Sequence, residues 1–236
     1  AGQAIAVRLE AEIQGLAVAA RNAADAQSLI DTAEGALQET TSLLLRMREL
    51  AVQSSNSTNS AADRASLELE SRQLEIEIQR TANNTTWAGK VLLNGTFSGD
   101  EDSAGRTFQI GSDSGQTIEL SIPELTATAA TIGYSVALSI GSFTGAQSAI
   151  VTIDDGMSTL ANVRANIASK MNRLDHTIAN LENVVTNLSQ SKGRIVDADF
   201  ATETANLART QVLQQASMAM LSQANASKQN ILALFQ

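Results

Sequence analysis

An apolar residue stands at every seventh position from Leu9 to Ala51: Leu9, Leu16, Ala23, Ile30, Leu37, Leu44 and Ala51. Ile5, Ile13, Ala20 and Met47 fall near a second seam. A seven-residue apolar repeat held this long is the pattern of helices that supercoil around a partner. It predicts one helix over 1–55, about 80 Å long at roughly 1.5 Å per residue. A compact globule has no use for an element of that length, so the repeat points to a rod.

The rest of the chain reads as an excursion from that rod and a return. "SSNSTNSAAD" (54–63) is a break of turn and cap formers, and a second helix follows over about 61–83. Leu67, Leu74 and Ile78 line one side of it, while Leu69 and Ile76 make another stripe, which predicts more than one neighbour. From 83 to 105 Asn, Gly and Thr reach turn density. The period then changes to two: Phe108 and Ile110, the turn "GSDSG", then Ile118, Leu120 and Ile122, a β-hairpin closed off by Pro123. Tyr134, Val136, Leu138 and Ile140 predict a third strand, and Val151 with Ile153 a fourth. Helical spacing returns at about Met157 and runs through Leu160, Val163, Ile167, Met171, Leu174, Ile178, Leu181, Val185 and Leu188, with "QSKGR" (190–194) as an interruption. The expected fold is mainly α: a long antiparallel, coiled-coil-like helical rod over 1–190, with a β excursion at about 84–156 whose tip is 124–156. A separate C-terminal segment, 191–236, completes it.

That segment is the most unusual part. On a helix, Leu213, Ala216, Met220, Ala224, Ile231 and Leu234 form one stripe, and Ala205, Val212, Ala219, Ala226 and Ala233 another. Leu207 and Phe235 add to the apolar surface. Two stripes require two or more neighbours, and burying about ten such side chains is worth on the order of 10–20 kcal/mol. Left in water, such a surface is an association site. The small Ala, Ser and Asn residues between let several helices approach closely. Asp197 and Asp199 suit the start of this helix as cap and dipole partners.

Composition removes most other function classes. The net charge is -9, with scattered basic residues, which disfavours nucleic acid and anionic lipid as partners. There is no cysteine, hence no disulfide and no thiolate metal site. No apolar run approaches the roughly 18 residues of a membrane span. The single histidine, His176, sits beside the helical seam and reads as a solvated surface residue. No nucleophile elbow, zinc-binding helix motif, phosphate-binding loop or dinucleotide fingerprint occurs, so neither an enzyme nor a cofactor is expected. "DDG" (154–156) lacks the register of a calcium loop and reads as the cap of the returning helix.

The residues resemble one family closely, bacterial flagellin. The stretches that carry the resemblance are "GLAVAARNAADAQSLIDTAEGALQE" (15–39), "LLRMRELAVQSSNSTNS" (44–60), "FQIGSDSGQTIELSI" (108–122), "NRLDHTIANLENVVTNLSQSKGRIVDADFATETANLARTQVLQQA" (172–216) and "QANASKQNILALFQ" (223–236). The resemblance implies a rod domain, usually called D1, over 1–190, and a spoke and C-terminal helix of a terminal domain, D0, over 191–236. The variable outer region of the family shrinks to 124–156. Family members also carry an earlier segment that supplies the other half of D0; the resemblance implies that this sequence begins after it, which would leave the tail without that partner.

The same resemblance implies a structural subunit that polymerises with its own copies into the extracellular flagellar filament for motility, exported without a cleaved signal peptide. It implies an export chaperone on the tail, through Leu207, Val212, Leu213, Ala216, Met220, Ala224, Ile231, Leu234 and Phe235. It implies recognition by the vertebrate Toll-like receptor 5 through Arg46, Leu50 and Glu70, with Arg46 as a planar donor, Leu50 as an apolar plug and Glu70 as an acceptor. Leu50 and Arg46 would otherwise pack between subunits. Two alternatives stand beside the filament role: a hook–filament junction protein, and a chaperone- or receptor-bound fragment acting as a binding module.

Overall fold

A computed structural model describes residues 2–97, 105–125, 138–197 and 199–234, with side chains described as far as residue 225. Four helices and two small hairpins follow in chain order: α1 (Gly2–Ser54), α2 (Ala61–Asn84), β1 (Thr86–Trp87), β2 (Lys90–Val91), β3 (Arg106–Gln109), β4 (Thr117–Leu120), α3 (Phe143–Val196) and α4 (Phe200–Leu234). The chain divides into two units, one of Glu10–Leu188 and one of Ala1–Leu9 with Ser189–Gln236.

The heptad positions of α1 are its buried face. Leu16, Ala23, Ile30, Leu37, Leu44 and Ala51 are all buried in the larger unit. The second seam is not the one expected from Ile13 and Ala20, both only half-buried. It runs through Ala19, Ala26, Ala33, Thr40, Met47 and Ser54, each buried, again at sevens. Five of these six are Ala, Thr or Ser in place of large apolar groups, so the seam is closely packed without announcing itself by hydrophobicity. The Thr40 hydroxyl is satisfied by the Ala36 carbonyl, and Ser54 Oγ donates to the Ile140 carbonyl, so neither is an orphan in the core.

Across that face lies α3, antiparallel to α1. Three polar contacts flank the seam: Gln27 Nε2 donates to Asp175 Oδ1 at 2.7 Å, Arg164 Nε to Glu34 Oε1 at 2.8 Å, and Arg48 Nε to Asp154 Oδ1 at 2.6 Å. The α1 numbers rise as the α3 numbers fall. Leu160, Ile167, Leu174 and Leu181 repeat at sevens on α3 and are buried.

Helix α2 opens on a capping box. Ser60 Oγ accepts the Asp63 amide at 3.2 Å, and Asp63 Oδ2 accepts the Ser60 amide at 2.9 Å. Arg64 reaches back to close α1, donating to the Ser54 carbonyl at 2.9 Å and the Asn56 carbonyl at 3.0 Å. Ile78 is buried and Leu67 and Leu74 pack against the core, while Leu69 and Ile76 are exposed.

Two hairpins sit between the helices. Trp87 pairs with Lys90 around Ala88 (φ 48°) and Gly89 (φ 78°), a two-residue turn with both central residues left-handed, the geometry that matches strand twist. In the second hairpin Phe108 faces Ile118. Each edge of that hairpin is held by one side chain: Asn22 Nδ2 of α1 donates to the Gln109 carbonyl at 3.1 Å, and Lys170 Nζ of α3 to the Glu119 carbonyl at 3.1 Å.

Three expectations are corrected. Val151 and Ile153 are not a strand, because α3 begins at Phe143, well before Met157. The "DDG" stretch is therefore inside a helix rather than capping one, and Asp154 serves as the partner of Arg48. Nor do residues 190–194 interrupt α3, which runs through Gly193 to Val196. Of the expected third strand, Tyr134 and Val136 lie outside the described residues, and 138–140 are assigned to no strand.

Candidate assembly and recognition surfaces

Helix α4 is built from residues that favour a helix without favouring one face. Asp199 caps it: its carboxylate accepts the Ala201 amide at 3.0 Å and the Thr202 hydroxyl at 3.0 Å. Those bonds, the Thr202 hydroxyl first and then the backbone amides, hold the Asp199 carboxyl below its ordinary range. From Phe200 to Asn225 every residue is exposed. Phe200 is 81% exposed and Met220 71%, and Leu207, Val212, Leu213, Met218 and Leu221 are all more than half exposed. Ala216 and Ala224 are exposed as well. Ile231 and Leu234 lie on α4 beyond the described side chains, and Phe235 lies outside the described residues.

The second surface is the outer face of α1 and α2 in the larger unit. Leu45 and Val52 on α1 and Leu69 and Ile76 on α2, each pair seven apart, are large exposed apolar residues. The α1 pair was hidden in the sequence because the seam beside it supplied a sufficient reason for apolar residues there. Arg46 joins the two helices: its Nε and Nη2 donate to Glu70 Oε1 at 3.1 and 2.8 Å, and its Nη1 to Glu49 Oε2 at 2.9 Å. The Glu70 hydrogen bond, then that of Glu49, raises the affinity of the guanidinium for its proton. Both Arg46 and Glu70 remain about half exposed, at 50% and 47% of their side chains.

Leu50 does not share their surface. It is 1% exposed and belongs to the main core with Met47 and Ala51, so the reading of it as a surface plug is corrected. The reason is geometric: Leu50 is one position before the heptad residue Ala51 and three after Met47, which turns it inward. The exposed leucine beside Arg46 is Leu45.

Among the described residues no group of three His, Cys, Asp or Glu is placed to hold a metal ion, and no helix is long and apolar enough to cross a membrane.

Long paired helices, small hairpins between them and a helix exposed on all sides as far as residue 225 together define a helical assembly subunit. The chain belongs to the bacterial flagellin family: residues 1–98 match the bacterial flagellin N-terminal helical region and residues 150–235 the C-terminal helical region. It is 43% identical to a flagellin of Halalkalibacterium halodurans over 236 residues, covering 100% of this chain and 84% of that protein. It is 36% identical to the flagellar filament 31.3 kDa core protein of Treponema maltophilum, covering 100% of this chain and 85% of that one. The crystal structure of Bacillus cereus flagellin superposes with a TM-score of 0.58 at 33% identity, covering 68% of this chain and 88% of that one. A protein described as flagellar hook-associated, from Vibrio parahaemolyticus, superposes with a TM-score of 0.66 at 16% identity, a likeness of fold alone.

Proposed function

We propose that this chain is a structural subunit of an extracellular flagellar filament, polymerising through helix-to-helix packing. The observation that carries the reading is α4: a 35-residue helix whose described side chains are all exposed, although many are apolar. An apolar surface of that extent is stable where other helices cover it. The two small-residue stripes allow covering from more than one side. The paired exposed residues Leu45, Val52, Leu69 and Ile76 add a second surface for lateral contact between rods. The function is mechanical, and its strength comes from many weak contacts repeated along a polymer.

The test is genetic complementation in the bacterium that carries the gene. Leu213→Asp with Met220→Asp is expected to leave the subunit made and folded but to abolish filaments and swimming. Filaments of ordinary length and abundance from the double variant would overturn the reading.

The exposure of α4 also supports a second reading that is compatible with the first, the tail as client of an export chaperone that covers it before assembly. Recognition by Toll-like receptor 5 would use Arg46 and Glu70 at the surface, with Leu50 supporting them from below. The hook–filament junction alternative draws support only from fold likeness, whereas sequence identity favours the filament subunit.

A further inference from the structure

Three elements meet at a cavity of about 300 Å3 in the larger unit: α1 supplies Asn22 and Asp25, β1 supplies Trp87, and β3 supplies Thr107, Phe108 and Gln109. Two of its polar groups are already committed. The Asn22 amide donates to the Gln109 carbonyl at 3.1 Å. The Gln109 amide donates to the Gly111 and Asp113 carbonyls at 2.9 and 2.6 Å. The Asp25 carboxylate is exposed and makes no hydrogen bond or ion pair among the described residues. Trp87 and Phe108 are half-buried, packed on the core at one side and lining the cavity at the other. What remains is therefore the Asp25 carboxylate, the Thr107 hydroxyl and two aromatic side chains.

The placement of Trp87 costs the fold something. The residue after it, Ala88, is the only described non-glycine residue with positive φ, at 48°. A side chain in that region is strained, and such strain persists where the surrounding structure holds it. Here it keeps the β1–β2 turn tight and fixes Trp87 opposite Lys90. Neither Arg21, four residues before Asp25 on α1, nor Lys90 makes an ion pair with Asp25 among the described residues.

We propose that this cavity binds an alkylguanidinium group. A guanidinium is planar, lies flat on an indole, and offers paired donors to a carboxylate, while its alkyl stem suits the phenyl wall. An uncharged amide or a sugar would leave Asp25 unpaired, and an anion would meet it at close range. Two sources share this chemistry: an arginine-bearing small molecule or peptide, and an arginine of a second copy of this chain. The site is separate from α4 and does not depend on the assembly reading.

Trp87 is the only tryptophan, so its emission reports on this site alone. Nα-acetylarginine methylamide titrated into the full chain is expected to change the emission saturably, with a dissociation constant in the millimolar range. The citrulline analogue, isosteric and uncharged, is expected to leave it unchanged. Asp25→Asn, an exposed position whose change leaves helicity intact by circular dichroism, should weaken binding about tenfold. If a second copy supplies the group, the same emission change develops with protein concentration alone, and the arginine compound then adds no further change. If it comes from a small molecule or peptide, emission is independent of protein concentration. A linear, unsaturable response shared by the citrulline analogue, or one that Asp25→Asn does not weaken, would overturn the proposal.

Discussion

The Arg48 guanidinium on α1 grips the Asp154 carboxylate on α3 with two bonds, Nε to Oδ1 at 2.6 Å and Nη2 to Oδ2 at 3.3 Å. The pair lies near the end of α3 that sequence patterning did not assign to a helix, and it fixes the register of the two helices there. The Arg48 hydrogen bond holds the Asp154 carboxyl below its ordinary range. A carboxylate with a depressed folded pKa contributes stability that is fully present above its unfolded pKa of about 4 and is lost as pH falls through the folded value. Asp154→Asn is therefore expected to lower the unfolding midpoint slightly at pH 6 and by progressively less as the pH falls below about 4. Thermal melts of both proteins across the acid range check it; a difference that does not shrink with falling pH would mean that packing, not charge, links the residues.

The seam through Ala19, Ala26, Ala33 and Thr40 leads to a pair of opposite substitutions. Leu37 is 0% exposed, and Leu37→Ala should destabilise the larger unit by about 2–5 kcal/mol through the cavity it leaves. Ala33 is equally buried, and Ala33→Leu should cost about 1–3 kcal/mol through overpacking, although it raises hydrophobicity. Leu69→Ala, on the exposed side of α2, should stay within about 0.5 kcal/mol. Urea unfolding of the three variants ranks them. An Ala33→Leu variant as stable as the parent would show that the small residues there are not a packing requirement.

That seam also marks where sequence reasoning stopped. The large residues at Leu16, Ile30, Leu37 and Leu44 exposed the helix and its period, and the turn residues of "GSDSG" exposed the second hairpin. The other half of the α1 interface was silent because its information is in side-chain volume, and Ala or Ser at a core position looks the same as Ala or Ser at the surface. The first turns of α3 misled for a different reason. "IVTID" (150–154) alternates and is β-branched, and "DDG" resembles a cap, yet burial of Ala146, Ala149, Ile153, Gly156 and Leu160 at threes and fours carries the helix through. Tertiary packing overrode local propensity there. At Leu50 a family resemblance supplied a surface role that the heptad position, read strictly, already opposed.

The capping box at Ser60 stands at the only break between α1 and α2. Ser60→Ala removes the acceptor for the Asp63 amide and should cost about 1 kcal/mol. Ser60→Thr, which keeps the oxygen, should cost less than half of that. The effect is expected mainly in the first turns of α2, so amide exchange at 62–66 should quicken in the Ala variant while exchange around Leu37 changes only with global stability. Uniform acceleration across both regions would place the role of Ser60 elsewhere.

Helix α4 makes the sharpest contrast with the rods. Its side chains from Phe200 to Asn225 are exposed, so beyond its own hydrogen bonds and the Asp199 cap it has little to hold it. Isolated helices are marginal in water, and local opening free energy follows buried contact. In the unassembled chain, amides between Val212 and Leu221 are therefore expected to exchange at least about a hundredfold faster than those between Ile30 and Leu44. Covering by other helices in the polymer should slow the α4 amides toward the rate of the rod. Hydrogen exchange with mass-spectrometric readout on monomer and polymer measures both. Protection of α4 in the monomer equal to that of the rod would mean the tail is stable uncovered, and the physical case for α4 as the assembly surface would fail.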